Sequence, residues 1–236
     1  METVCFTSDR RNWLLKGFAH QWQKYAPQID VAIVGFTPPQ FDIPLEFISL
    51  GKFEDYPIHR WSDALILYLT EFARDDYVTI LLEDYWLLRP VNVQHWKVAG
   101  RAAKDLNAFR FDLTTDRINS GSVLQDVVRI EGVDIFRCPH SAYQMSMQAS
   151  IFSREQLLSM LIPGETPWQV EIDGTGRLAK RPDLEVYGTR QWIFNYQIMV
   201  DKGQFKRFGA WMYPPRELSE EDFRALAQLG YTEASV

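Results

Sequence analysis

The stretch DYVTILLEDYWLLRPVN, residues 76–92, decides the reading of the chain. Tyr77 to Leu82 is a short apolar run broken only by Thr79, the mark of a strand buried on both faces of a sheet. It ends abruptly in two acids, Glu83 and Asp84, followed by aromatic residues and a proline. In an open α/β sheet, ligands collect beyond the carboxyl ends of the strands, so this pair stands where chemistry is expected. Neighbouring carboxylates suit a hard divalent cation, magnesium or manganese, that also binds phosphate oxygens. The same two acids can equally open a turn, with Asp84 capping the segment that follows.

Upstream, Trp61, Ala64, Leu65, Tyr68, Leu69 and Phe72 recur at helical spacing, with Ser62 or a neighbour as the expected cap. Before that helix lie a loop, GKFEDYPIHR, and a short strand from Phe47 to Leu50. The chain opens with a strand from Thr3 to Thr7 and a polar turn, SDRRN. A helix follows with Trp13, Leu14, Gly17, Phe18, Trp22 and Tyr25 on one face. IDVAIVGF then reads as a buried strand running into Pro38-Pro39.

Downstream, Asn92 is placed to cap a helix from Val93 to about Leu106, and Phe109 to Leu113 resumes a strand. Asp126 to Ile130 and Val133 to Cys138 form a hairpin around Glu131-Gly132. Met147 to Phe152 is a strand, and Ser153 caps a helix that stops before Pro163-Gly164. GETPWQVEIDG reads as a loop and short helix. Ile193 to Val200 is a core segment ended by Lys202-Gly203, and Ser219-Glu-Glu-Asp222 caps a last helix to about Leu229. This alternation defines an α/β fold with an open mixed sheet flanked by helices. No repeat or low-complexity tract divides residues 1–236, so one domain is expected.

The composition of 46% apolar and 24% charged residues belongs to a folded globule, and 236 residues bury a core without disulfides. No run approaches the roughly 20 apolar residues of a transmembrane helix, and METVCFTSDRR lacks the pattern of a secretory signal. A cytoplasmic protein is expected. Cys5 and Cys138 lack metal-ligand spacing and read as reduced, buried residues. The four histidines show no HExxH or HxH spacing, so His140 reads as structural and a zinc site is not expected. A formal charge of −6 argues against a surface that grips nucleic acid as a whole. Gly174 to Ala210, however, holds seven basic residues against three acids. It is either a solvated face or a surface for an anionic partner.

Ser8, Asp9, Arg10 and Arg11 occupy the first strand-to-helix loop, where backbone N–H groups, a carboxylate and guanidiniums can hold a nucleotide. The absence of GxGxxG and GxxxxGK[ST] removes the dinucleotide and P-loop readings. Trp61 and Asp63 can line the same pocket or serve the core. In GETPWQVEIDG, Glu165 and Glu171 bracket Trp168, offering a general base beside a flat apolar platform for a sugar. Trp168 and Glu171 are three residues apart and share a face if the segment is helical, which favours Glu171 as base and leaves Glu165 to orient the loop.

Taken together, DYVTILLEDYWLLRPVN, YQMSMQASIFSREQLL, GETPWQVEIDG and FNYQIMVDKGQFK resemble a small GT-A-type glycosyltransferase family of surface-polysaccharide clusters and phage genomes. The resemblance spans about Thr3 to Lys206. It implies a GT-A-like fold and transfer of a sugar from a nucleotide diphosphate sugar to a hydroxyl of a glycan, lipid-linked saccharide or modified nucleobase. By the same resemblance, Glu83 and Asp84 stand at the metal and diphosphate site, with Asp84 as the metal ligand, and Tyr85 and Trp86 close over the sugar. Gln148 faces the acceptor with Trp168, and the catalytic base is Glu171 or Glu165. Leu82 occupies the place of the first acid of a fuller motif, a departure that bears on metal dependence. It keeps open a noncatalytic nucleotide-sugar or carbohydrate-binding protein as the alternative. A nucleotidyltransferase would carry a glycine-rich basic loop where this chain has SDRRN. The basic stretch makes an anionic acceptor, DNA included, a further expectation, with a glycan favoured over DNA.

Overall fold

In a computed structural model describing residues 1–119, 122–201, 203–207 and 217–232, the acid pair follows the carboxyl end of an interior strand of a nine-stranded mixed sheet. The first half comprises β1 (Glu2–Phe6), α1 (Leu15–Tyr25), β2 (Ala32–Gly35), β3 (Glu46–Ser49), α2 (Trp61–Leu67) and β4 (Tyr77–Leu82). β5 (Tyr85–Leu87) follows the acids directly, and α3 (Val93–Asp105), β6 (Arg110–Asp112) and α4 (Asp116–Asn119) come next. The hairpin of β7 (Val123–Ile130) and β8 (Val133–His140) leads to β9 (Ser150–Ser153), α5 (Arg154–Met160), α6 (Pro167–Leu178) and β10 (Val186–Thr189). β11 (Tyr196–Ile198), β12 (Val200–Asp201), β13 (Gln204–Phe205) and α7 (Glu220–Gln228) follow. Lys202 and Phe208 to Ala210, expected to end the core segment and the basic stretch, lie outside the described residues.

The main sheet runs β3-β2-β1-β4-β9-β6-β10-β8-β7. β3, β2, β1 and β4 are parallel, and β9 is antiparallel to both β4 and β6. The chain therefore leaves β1 in one direction, through β2 and β3, and returns on the other side at β4. That reversal opens a crevice outside the carboxyl ends of β1 and β4, the place where open α/β sheets bind ligands. Side chains alternate across the sheet and bury both faces. Val4, Phe6, Val34, Val78, Ile80 and Phe152 pack with α2, α5 and α6, while Cys5, Ile33, Leu81, Phe111 and Ile151 pack with α1 and α3. Both cysteines are free and buried.

The polar turn after β1 forms a short 3-10 helix, Asp9–Leu14, that feeds α1. An isolated helix of 11 residues is marginal in water. Burial of Leu14, Leu15 and Phe18, at about 1.5–3 kcal/mol each, is what holds it. Gly17 makes the closest approach. A Cβ there would lie 2.0 Å from Cη2 of Trp86, which is fully buried and cannot yield. Gly17→Ala is therefore expected to destabilise the protein by about 1–3 kcal/mol, read as a lowered thermal midpoint.

Asn92 caps α3 through His95 N–H, and Ser219 caps α7 through Asp222 N–H, as the sequence predicts. The hairpin turns at Glu131 and Gly132, both with positive φ, and its strands are longer than expected. Two expectations are corrected. Ser62 lies inside α2 and caps nothing; its hydroxyl donates to Ile162 O and accepts from Glu165 N–H. The strand expected from Met147 begins only at Ser150, because Met147 N–H is drawn away to Glu171. Ile193 to Val200 is the expected core segment, and its strand β11 pairs with β5 outside the main sheet.

Candidate functional site

β1 and β4 bring the first loop and the acid pair face to face. Glu83 N–H donates to Phe6 O at 3.2 Å, so the pairing of the two strands continues into the turn. Trp86 Nε1 donates to Glu83 O at 3.0 Å, and Met199 N–H donates to Asp84 O at 3.0 Å. The backbone of the turn is thereby held from two sides, leaving the carboxylates to the crevice. Arg11 Nε lies 3.9 Å from Glu83 Oε1. Its Nη1 is buried with no hydrogen-bond partner among the described residues, a donor suited to an arriving anion.

Both carboxyls bind protons more tightly than usual. For Glu83 the causes are burial first and the neighbouring Asp84 second, with Arg11 opposing them. For Asp84 burial leads, again opposed by Arg11. A bound cation would relieve this crowding. Two adjacent, partly open carboxylates fit a hard ion that completes its shell with water and ligand phosphates. They do not form a closed cage: among the described residues no three His, Cys, Asp or Glu side chains converge as a metal-binding group.

The second wall is built by β5, β11 and the segment before β9. Tyr85 and Tyr196 stack with centroids 4.6 Å apart. Tyr85 OH donates to Met147 O at 3.5 Å, and Met147 N–H donates to Glu171 Oε1 at 2.6 Å. Tyr196 OH donates to Gln148 Oε1. Burial raises the Tyr85 phenol well above its ordinary value, and Tyr196, Asp84, Glu171 and Glu83 add to the rise, which places all five groups in one electrostatic neighbourhood.

Arg11, Glu83, Asp84, Tyr85, Gln148 and Glu171 thus come together. The other anticipated residues are held as follows. Asp9 Oδ1 accepts from Thr37 N–H and Asn12 Nδ2 donates to Thr37 O, tying the β1 loop to the β2 loop. Ser8 occupies the N-cap position without a capping bond, and Arg10 lies over the Phe53 ring. Asp63 accepts from Gly164 N–H at 2.8 Å and from Arg60. Burial acts to raise its pKa, but these two donors outweigh it and hold the carboxyl below its ordinary value. Trp61 is half-buried and packs against the apolar cluster on the α2 side of the sheet. Trp86 is a correction: it is fully buried against Gly17 of α1 and does not open to the crevice, and Tyr85 is 5% exposed, with its ring on Tyr196.

Along α6, Thr166 and Gln169 form a capping box, with Pro167 opening the helix. Trp168 is 62% exposed, while Glu171 turns inward to Met147. Glu165 is held bidentately by Arg177, at 2.6 and 2.8 Å, and its backbone bonds Ser62. Glu165→Gln is accordingly expected to lower the unfolding free energy by about 1–3 kcal/mol, read by chemical denaturation. The arginines of the basic stretch are paired with acids. Arg177 pairs with Glu165, Arg181 with Asp183, Arg190 with Asp126, and Arg207 with Glu217 and Glu220.

Two features escape the sequence reading. Tyr196 lies in an apolar run that carries no sign of a polar role. At the end of β2, Phe36 stacks on Tyr56 at 5.3 Å and meets Phe53 edge-on, with Arg10 and Arg60 over the outer rings. The interleaving of aromatic and basic residues in GKFEDYPIHR is the signal that was available for it.

No family model matches the chain, and no curated protein matches it. Among solved structures it is similar to a fragment of S. aureus TarS, at 13% identity and a TM-score of 0.44, over 80% of this chain and 60% of that one. It is similar to an active-site variant of LgtC at 10% identity and a TM-score of 0.47, over 100% and 97% of the two chains. UDP-glucose pyrophosphorylase with UDP-glucose aligns at 9% identity and a TM-score of 0.46, over 84% and 92%. The chain thus spans about 60% of the TarS fragment's length. Among the described residues no helix is long and apolar enough to cross a membrane.

Proposed function

We propose that this chain is a nucleotide-sugar-dependent glycosyltransferase with a GT-A-like fold, a single domain over residues 1–236 that works in the cytoplasm. The observation that carries the reading is the crevice at the β1–β4 reversal, where an acid pair faces an arginine with an unpartnered donor. The four sequence blocks of the glycosyltransferase resemblance support it. In this reading the diphosphate lies between Arg11 and the acids, and the base lies toward the aromatic layer of Phe36, Phe53 and Tyr56. Asp84, with Glu83 beside it, would hold manganese or magnesium, which supplies positive charge against the departing diphosphate.

The acceptor hydroxyl enters from the side of Gln148 and Trp168. Glu171 takes its proton as the acceptor oxygen bonds to the anomeric carbon, and the bond from that carbon to the diphosphate breaks. Met147 N–H fixes the orientation of Glu171 for this task. Arg177 neutralises Glu165, which serves the loop rather than the chemistry. Because the cations of the basic stretch are largely paired, a neutral glycan or lipid-linked saccharide is favoured over an anionic acceptor such as DNA. One observation favours the noncatalytic alternative: the acid pair gains no third ligand among the described residues. A thermal-shift screen of nucleotide sugars, with and without manganese, tests the proposal. Stabilisation by at least one sugar nucleotide that strengthens with manganese is the expected result. No response to any of them removes the transferase and binding readings together.

A further inference from the structure

The segment Ser146 to Ser150 spends its polar groups in an unusual way. Met147 N–H goes to Glu171 and Met147 O to the Tyr85 hydroxyl. Gln148 N–H donates to Ser146 Oγ at 3.1 Å, and Gln148 O accepts from Ser150 Oγ at 2.8 Å. Ser150 Oγ is itself held at 2.9 Å by Nε of Arg110, a fully buried arginine. The Gln148 side chain is fixed last: Tyr196 OH donates to its Oε1. Of the polar groups of Gln148, only the Nε2 amide is engaged by no described residue, and Gln148 is partly exposed. The register places it toward the acids. Ile80 pairs with Ser150, the first residue of β9, so Gln148 enters that strand from the side where β4 runs out to the acids.

We infer that Tyr196 is a positioning residue that locks the Gln148 amide with its oxygen inward and its NH2 toward the crevice, making Gln148 a preorganised donor to a sugar hydroxyl oxygen. A glutamine amide has a carbonyl oxygen with two lone pairs and an NH2 group with two donors. The buried phenol holds the oxygen and leaves the NH2 without a partner among the described residues, so the ligand group that meets it must offer a lone pair. A locked donor loses little rotamer freedom on binding, which is how a binding site gains from a supporting shell. The sugar recognised belongs either to the nucleotide sugar or to the acceptor, and both present hydroxyl oxygens. That ligand assignment rests on the transferase reading; the lock itself does not.

The test follows the Gln148 side-chain amide by nuclear magnetic resonance in the full chain, its signal assigned by loss in Gln148→Ala. Tyr196→Phe removes only the phenolic oxygen and keeps the ring stacked on Tyr85. The wild-type amide is expected to be rigid, with an order parameter of about 0.8, falling below about 0.6 in Tyr196→Phe. A mobile amide in the wild type, or equal rigidity in a folded Tyr196→Phe, overturns the lock; should that variant not fold, the wild-type value decides. UDP-glucose and UDP-GlcNAc, each compared with UDP alone, and then methyl glucoside and methyl galactoside added with UDP, are titrated against the same signal. A shift with a sugar nucleotide but not with UDP assigns Gln148 to the donor sugar, and a shift only with a methyl glycoside assigns it to the acceptor. If UDP binds and none of these sugars moves the signal, the recognition role is wrong. If UDP does not bind at all, the transferase reading fails while the lock is still judged by rigidity.

Discussion

Replacing Asp84 by asparagine is expected to cut sugar transfer by more than tenfold, a barrier increase above about 1.4 kcal/mol, while leaving the fold intact. Asp84 holds no side chain of the core; its backbone oxygen binds Met199 N–H, and asparagine keeps that bond. The substitution is also expected to stabilise the protein at alkaline pH. The sign follows from the raised proton affinity of both acids, caused by burial and, for Glu83, by Asp84. A carboxyl whose folded pKa exceeds its unfolded value costs stability as pH rises from the ordinary carboxylate range through the raised value, and the full cost remains above it. Removing one charge relieves that cost. The thermal midpoint should therefore rise above wild type at pH 8, by about 2–4 °C for each kcal/mol of repulsion removed, and the gap should close near pH 4. Wild-type activity with an unchanged pH profile of stability would mean that Asp84 is only a turn residue.

Glu171→Gln carries the largest expected effect on turnover. The amide keeps the size of the side chain and its carbonyl can still accept from Met147 N–H, but it cannot take a proton. General-base catalysis contributes typically about 10²- to 10⁴-fold, so kcat should fall by that amount while nucleotide affinity stays near its original value. Glu165→Gln is the control: it breaks the Arg177 pair and lowers stability but should leave kcat within a few-fold. If activity is lost in the Glu165 variant and kept in the Glu171 variant, the two roles are exchanged. Full activity in both removes α6 from the chemistry.

The elements of this site that are local in sequence are the ones legible before the structure. A buried strand ending in two acids, an asparagine before a helical pattern and a polar loop after the first strand each carry their own signal, and the structure has the strand, the cap and the loop in those places. What sequence alone misplaces depends on partners far along the chain. Whether Trp86 faces a ligand or the core is decided by Gly17, some 70 residues away, and by the pairing of β5 with β11. The basic stretch looks cationic because Asp126, Glu165, Glu217 and Glu220, which neutralise it, lie outside it. Tyr196 is hidden for the same reason, since its role exists only once Gln148 is brought beside it. In α6 the sequence shows only a loop and short helix, and the structure adds the Thr166–Gln169 capping box and Pro167 that fix its start.

The crevice at the β1–β4 reversal is expected to bind a nucleotide diphosphate between Arg11 and the acid pair. Calorimetric titration of the wild type and of Arg11→Ala with UDP, GDP, CDP and TDP, manganese present, measures this binding. Saturable binding of at least one nucleotide by the wild type, weakened at least tenfold in Arg11→Ala, is the predicted result. Failure of all four to bind at millimolar concentration, or equal affinity in the two proteins, would contradict it.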